Sequence, residues 1–352
     1  MSDRTTPLRS TLALLLALVL ALWSAAQAQI GADPDTLVER SALAGDTIEG
    51  GLFRTEGGLV VEPVVRNGAL YAVRGQSNDF GDAAILELAR IVGAATGLGA
   101  GIEQPVVDFL ADSLARLAGI GPSVVGVERF RLTLEVEGGE GEAPYELTFA
   151  LALAEVREDV FPVARHVKGP ADAPIVIRDF SDLSCPACRR FVLEVMPMLE
   201  ATLLARGDVR IEFHHFPLVN SFPNSFRAAE MTECVADANP NDDAAFWTYH
   251  DELYARQGDW SRLSTPDALL LEIAADVGLS TEGVAACIAE GRHVATVQAG
   301  YDTAAALQLR GTPTIFVGGY QVQAWNELGA YEQAIGYIET FAGDDAEADA
   351  VD

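Results

Sequence analysis

The chain has 352 residues, 49% of them hydrophobic, and a formal net charge of −29 at pH 7. That apolar share excludes global disorder, and the length suits two hydrophobic cores better than one. So acidic a surface repels phosphate backbones and anionic lipid headgroups, which excludes nucleic acid and membrane surfaces as partners.

Residues 1–28, "MSDRTTPLRSTLALLLALVLALWSAAQA", carry arginines at 4 and 9, an apolar run from Leu12 to Trp23, and a small-residue end at Ala26-Gln27-Ala28. This is the layout of a cleavable signal peptide. The alternative, an uncleaved membrane anchor, wants roughly 20 apolar residues, more than the run provides. No cysteine lies in the first 30 residues, so lipid attachment there is excluded. A periplasmic or extracellular protein is expected, with disulfide chemistry open to it.

Residues 29–160 read as a separate α+β domain. "GLVVEPVVRNGALYAVRG" holds two β-rich runs around Asn67-Gly68, a two-residue hairpin signal. Two amphipathic helices follow, "DAAILELARIVGAATG" and "QPVVDFLADSLARLAG", each closed by glycine. "RFRLTLEVEG" and "YELTFALALAEV" then alternate with period two around a turn at 138–142, which predicts a second hairpin. This stretch has neither cysteine nor histidine, and no motif in it carries chemistry.

Residues 161–342 alternate differently. A strand at 174–180 leads into a helix from Pro186 to about Ala205, and "VRIEFHHFPL" reads as the next strand. Helical patterns fill about 224–308, followed by the strands "TIFVGG" and "YQVQ" and a last helix over about 326–341. That order is the order of an α/β thioredoxin fold with an inserted helical subdomain. Residues 343–352 form an acidic tail.

Where the first of these strands meets its helix lies "SDLSCPACRR", residues 181–190. Zinc wants four ligands, yet Cys234 and Cys287 stand alone and no closely spaced histidine pair exists, so no metal is expected. A structural bridge across so short a loop removes little loop entropy and is easily reduced. A redox centre uses that lability. Pro186 belongs at a first helical position, which puts Cys185 at the N-cap, where unpaired N–H groups and the helix dipole favour a thiolate. Cys188, one turn further in, is within reach to resolve a mixed disulfide. Arg189 and Arg190 are expected to add positive potential and Asp182 to oppose it.

Cys234 and Cys287 fall on helical patterns in the insertion. They are either a second disulfide or two buried thiols behaving as small hydrophobes. The bridge is favoured, because free thiols beside a dithiol exchanger are scrambled. His214 and His215 are adjacent on a strand and face opposite ways, which argues against a shared metal site. Trp247, His250, Phe180, Leu183 and Phe316 are expected to be packing residues.

The stretch "GPADAPIVIRDFSDLSCPAC" resembles the active-site region of the DsbA-like, BdbD-type thioredoxin-fold thiol–disulfide oxidoreductases. "FWTYHDELY" and "GTPTIFVGG" resemble that family's helical-insertion motif and its cis-proline loop. The resemblance covers about residues 166–341 and leaves the N-terminal domain unrecognised. It implies that Cys185 is the nucleophile, Cys188 the buried resolving thiol, Pro313 the cis-proline, and Thr312 the residue whose backbone pairs with an extended substrate. Asp179 matches the buried acid that assists proton transfer, an ordinary strand-end carboxylate being the alternative. Between the cysteines stand Pro186 and Ala187, without the histidine of strongly oxidising members, so the motif does not fix the direction of electron flow.

The resemblance further implies a protein thiol–disulfide oxidoreductase acting on cysteine-containing polypeptides, taken here as an oxidase. A membrane quinone-linked thiol oxidase, of the DsbB or vitamin-K-epoxide-reductase type, is its implied redox partner, and no cofactor is expected. The alternatives are a disulfide isomerase or reductase, or a non-catalytic binding or chaperone module whose CxxC is a structural disulfide.

Overall fold

The computed structural model describes residues 30–48, 52–139, 144–240 and 244–341; the expected signal peptide and acidic tail lie outside these described residues. The chain divides into two compact units, residues up to Ala154 together with those from Glu339 onward, and Glu155–Ile338.

The first unit contains a short helix α1 (Thr36–Ser41), strands β1 (Gly45–Thr47), β2 (Phe53–Thr55), β3 (Val60–Arg66) and β4 (Ala69–Ser77), helices α2 (Asp82–Thr96) and α3 (Ala100–Leu117), and strands β5 (Ser123–Val127), β6 (Phe130–Gly138) and β7 (Tyr145–Leu153). Asn67 and Gly68 both take positive φ, 48° and 79°. This is the two-residue turn that matches strand twist, and β3 and β4 pair antiparallel on either side of it. Strands β6 and β7 form the second expected hairpin. On β6, Phe130, Leu132, Leu134 and Val136 are buried while the residues between them are not, as a one-sided antiparallel strand requires.

The seven strands run in the order β1-β2-β3-β4-β7-β6-β5, antiparallel throughout. Gly75 on β4 is directly opposite Phe149 on β7, and a Cβ at Gly75 would come within 2.5 Å of that ring. The missing side chain is what lets the aromatic lie across the strand. Strands β1, β2 and β5 were not legible in the sequence, because three are short and glycine-flanked and lack enough residues to show alternation.

The second unit holds a five-stranded mixed sheet in the order β12-β11-β9-β10-β8. Its strands are β8 (His166–Lys168), β9 (Ile175–Ser181), β10 (Val209–His215), β11 (Thr314–Val317) and β12 (Tyr320–Val322). All seven residues of β9 are buried, the signature of a central strand covered on both faces. β9 and β10 pair in parallel, so the chain must cross over between them through a helix. The crossover comprises α4 (Pro186–Arg190), a π-helical turn at Phe191–Val195, and α5 (Met196–Thr202).

The sequence predicts one uninterrupted helix from Pro186 to about Ala205. Pro197 breaks it: proline supplies no N–H and crowds the preceding turn. The ladder responds with a wide turn, in which the Met196 N–H bonds Phe191 O five residues back.

After β10 come α6 (Ser225–Asp237), α7 (Ala245–Ala255), α8 (Gln257–Trp260), α9 (Asp267–Asp276), α10 (Val284–Glu290) and α11 (Val294–Ala306), the helical insertion. The chain then returns to β11 and β12, and α12 (Leu328–Phe341) follows. This is the thioredoxin fold with an inserted helical subdomain, joined to a separate α+β unit. Phe180 and Phe316 belong to one buried aromatic cluster with Phe161 and Phe216, and Leu183 is buried. Among the described residues no helix is long and apolar enough to cross a membrane.

Candidate active site

Cys185 has extended backbone (φ −79°, ψ 125°) and caps α4, with Pro186 at the first helical position. The proline ring presets the helical φ, and its absent N–H would have had no helical partner there. The Arg189 N–H closes the first turn onto Cys185 O at 3.0 Å. The unpaired N–H groups of Ala187 and Cys188 are thereby left facing the Cys185 sulfur.

Cys185 is 6% exposed, while Cys188 is fully buried. Both are free thiols. The Cys185 thiol is held down to about 6, chiefly by the hydrogen bond from Cys188; burial works against this, and contacts with Thr312 and the Cys188 and Ala187 N–H groups assist it. Cys188 moves the other way, well above an ordinary thiol, because burial, its bond to Cys185 and the nearby charges of Cys185 and Asp179 all disfavour its anion. A thiol that ionises easily thus lies beside a buried partner that stays protonated.

The Thr312–Pro313 peptide bond is cis, and Thr312 O lies 3.4 Å from the Cys185 sulfur. Residues 127 positions apart are brought into contact by the antiparallel pairing of β9 with β11. Asp179 is fully buried on β9, and burial pushes its carboxyl up to about 7. The Ser181 hydroxyl donates to Asp179 Oδ1.

The arginines depart from expectation. Arg189 Nε donates to Tyr254 O at 2.9 Å, and the Arg190 guanidinium lies over the Trp325 ring at 5.6 Å. Both are engaged with neighbours, and the Cys185 anion is stabilised instead by Cys188, Thr312 and backbone N–H groups. Asp182 is likewise not a simple opposing charge. Its carboxylate accepts from Ser184 N, Leu218 N and the Ser225 hydroxyl, each at 2.7 Å, and so ties the loop to α6 and to the segment after β10.

Three participants escaped the sequence reading. The Asp182-x-Ser184 contact is an Asx turn, which Asp two residues before Ser does signal. Ser181 shares a strand face with Asp179, which the period of two allows but does not single out. Gln257 Nε2 bonds Leu183 O and Cys185 O from a distant helix, and no local pattern announces it.

Cys234 and Cys287 are bridged, with Cα atoms 5.9 Å apart, joining α6 to α10. His293 lies close enough to complete a three-residue metal cluster with them. The two sulfurs are bonded to each other, however, and the His293 nitrogens face Asp237 at 2.8 Å and the Arg165 guanidinium at 3.1 Å.

His214 and His215 are both buried and diverge, as adjacent strand residues must. His214 stacks on Phe180 with centroids 4.7 Å apart. His215 Nε2 and His166 Nε2 each lie 2.9 Å from Glu233 Oε1. Burial pushes the Glu233 carboxyl up, but those two hydrogen bonds outweigh it and leave the group below the usual carboxylate range. His250 and Trp247 pack around Phe213.

A sequence model described as thioredoxin matches residues 163–336. The chain is 31% identical to the Na(+)/H(+) antiporter NhaA 3 of Salinispora tropica over 160 residues, 46% of this chain and 22% of that protein. It is 28% identical to the probable disulfide bond formation protein D of Bacillus anthracis over 153 residues, 43% of this chain and 68% of that protein. The solved structure of oxidised BdbD from Bacillus subtilis aligns with 54% of this chain and 97% of that chain, at 21% identity and a TM-score of 0.45. The chain therefore spans about a fifth of the antiporter's length and about two thirds of the Bacillus protein's. Residues 163–336, close to half of the chain, are similar to the thioredoxin family, and the helices α6 to α11 stand between the strands β10 and β11 of that stretch.

Proposed function

We propose that this protein is an extracytoplasmic thiol–disulfide oxidoreductase that exchanges disulfides with cysteine-containing polypeptides through Cys185 and Cys188. The observation that carries this reading is the split between the two thiols, Cys185 held down to about 6 at a helix start and Cys188 buried and held up. A structural disulfide has no need of such a split. A nucleophile and a resolving thiol do.

In the oxidising direction a substrate thiolate attacks Cys185 of the Cys185–Cys188 disulfide, and Cys188 leaves as thiolate. A second substrate thiolate then attacks the substrate sulfur of the mixed disulfide, which releases the substrate disulfide and the reduced protein. The Thr312 backbone next to the cis-proline pairs with the extended substrate, and Asp179 serves Cys188 as proton donor and acceptor. The oxidase direction is supported by the stabilised Cys185 anion, since whatever stabilises the reduced form makes the disulfide a stronger oxidant. A membrane quinone-linked thiol oxidase then restores the disulfide.

Equilibration with glutathione measures the direction. A potential on the order of −120 mV identifies an oxidase, and one on the order of −270 mV a reductant. Catalysed oxidation of a reduced polypeptide by the wild type and not by Cys185→Ser supports the enzyme; equal rates from both would return the protein to a binding module with a structural CxxC.

A further inference from the structure

Asp179 and Ser181 are two residues apart on β9, so both side chains leave the same face of the strand. There the Ser181 hydroxyl donates to Asp179 Oδ1 and lies beside the Cys188 thiol, whose anion it favours. All three residues are sealed from solvent, at 0%, 1% and 0% exposure for Asp179, Ser181 and Cys188. The second carboxylate oxygen, Asp179 Oδ2, is buried without a hydrogen-bond partner among the described residues.

A serine hydroxyl carries a single proton and can donate to only one of two neighbouring anions at a time. With Cys188 as thiol and Asp179 as carboxylate, the S–H donates to Ser181 Oγ and the Oγ–H donates to Oδ1. With the proton on Asp179, every bond in the chain reverses: the carboxylic acid donates to Oγ, and the Oγ–H donates to the Cys188 thiolate. The two arrangements interconvert by moving two protons, one along the existing Ser181–Asp179 hydrogen bond and one across the approach of Ser181 to Cys188. We propose that Ser181 is a catalytic residue whose hydroxyl relays the proton between Cys188 and Asp179 each time Cys188 enters or leaves a disulfide. This rests on the exchange function proposed for Cys185 and Cys188 and adds a residue to it.

When the protein reduces a substrate, Cys185 is held in a mixed disulfide and Cys188 is a thiol. Cys188 gives its proton to Ser181 Oγ as Ser181 gives its own to Asp179. The Cys188 thiolate attacks the Cys185 sulfur, the Cys185–Cys188 bond forms, and the bond to the substrate breaks with its electron pair on the substrate sulfur. The protein loses two electrons and the substrate gains them. In the oxidising direction the same atoms run backwards: Cys188 leaves as thiolate and is reprotonated from Asp179 through Ser181.

The groups facing this relay leave it free to operate near neutral pH. Cys185 faces Cys188 from the helix start, Tyr254 on α7 and Tyr331 on α12 face Asp179, and Asp182 follows on the loop. Burial holds both tyrosines protonated beyond their ordinary range. Asp179, pushed up to about 7 by burial, is present in both protonation states where the exchange runs.

The test follows the Cys185–glutathione mixed disulfide by acid quench and mass analysis after mixing reduced full-length protein with glutathione disulfide, between pH 5 and 9. Ser181→Ala is expected to form the mixed disulfide at the wild-type rate and to resolve it about 100-fold more slowly, at the low end of general acid–base catalysis. Ser181→Thr, which keeps the hydroxyl, is expected to recover most of that rate. The wild-type resolution profile should bend near pH 7, and the bend should be missing in Ser181→Ala. Resolution by Ser181→Ala at the wild-type rate with the same profile overturns the relay and leaves the exchange function standing, as does equal slowing by alanine and threonine. A wild type that forms no mixed disulfide overturns both.

Discussion

Gln257 Nε2 donates to the carbonyl oxygens of both Leu183 and Cys185, at 2.8 and 3.0 Å. Gln257 opens α8 inside the helical insertion, 72 residues from Cys185 in sequence. The insertion therefore does more than cover the sheet: it fixes the two carbonyls that flank the helix start, and with them the direction in which the Ala187 and Cys188 N–H groups point.

Replacing Gln257 by leucine keeps the bulk and removes both bonds. Leu183 O is then left unpaired, at a cost of about 1–3 kcal/mol, while Cys185 O keeps its bond from the Arg189 N–H. Urea unfolding of the reduced protein should register that loss, and alkylation of Cys185 should require a higher pH as the helix start loosens. Unchanged alkylation would mean that Gln257 only stabilises.

Cys185 should be alkylated with a midpoint near pH 6, with Cys188 protected throughout the neutral range. Because the folded value lies below that of an ordinary thiol, the anion stabilises the reduced fold above the ordinary thiol range. That stabilisation is lost as pH falls through about 6, on the order of 1 kcal/mol per pH unit in between. Iodoacetamide rates across pH, read against urea midpoints of the reduced protein, check both halves.

Asp179 has the opposite sign. Its folded value of about 7 lies above the 3.8 of an unperturbed aspartate, so keeping it buried favours folding only while it is protonated. The advantage is full below about pH 4 and lost as pH rises through 7. Asp179→Asn removes the buried charge and should raise stability at pH 8 by on the order of 4 kcal/mol, with little change at pH 4. Urea midpoints at the two pH values decide, and a uniform shift would count against the assignment.

Cys234 and Cys287 close a loop with a sequence separation of 53. Their bridge is worth about 4 kcal/mol on the loop-entropy account. The double serine variant should unfold at lower urea by about 2–4 kcal/mol and still exchange disulfides at Cys185. Loss of exchange in a variant that remains folded would instead tie the second bridge to the first site.

Much of the redox unit was legible because its determinants are local. Pro186 fixes where α4 begins, Cys185 follows as its N-cap, and a helix of 3.6 residues per turn brings Cys188, three positions on, back toward it. The strand β9 announced itself within an apolar run, β10 by β-branched and aromatic residues alternating with charged ones, and Asn67-Gly68 as a turn. What interrupted the first helix, Pro197, was also present in the sequence, but its consequence depends on the ladder around it.

The sequence alone determined which residues could do chemistry, through helix start, strand period and cysteine spacing, each a matter of neighbours a few residues apart. Only the tertiary structure decided how they are tuned, since β11 must pair with β9 before Thr312 can reach Cys185. Gln257 and the engaged arginines belong to that second class: burial and hydrogen bonding across long separations set their roles, and no local pattern records a contact made 70 or 130 residues away.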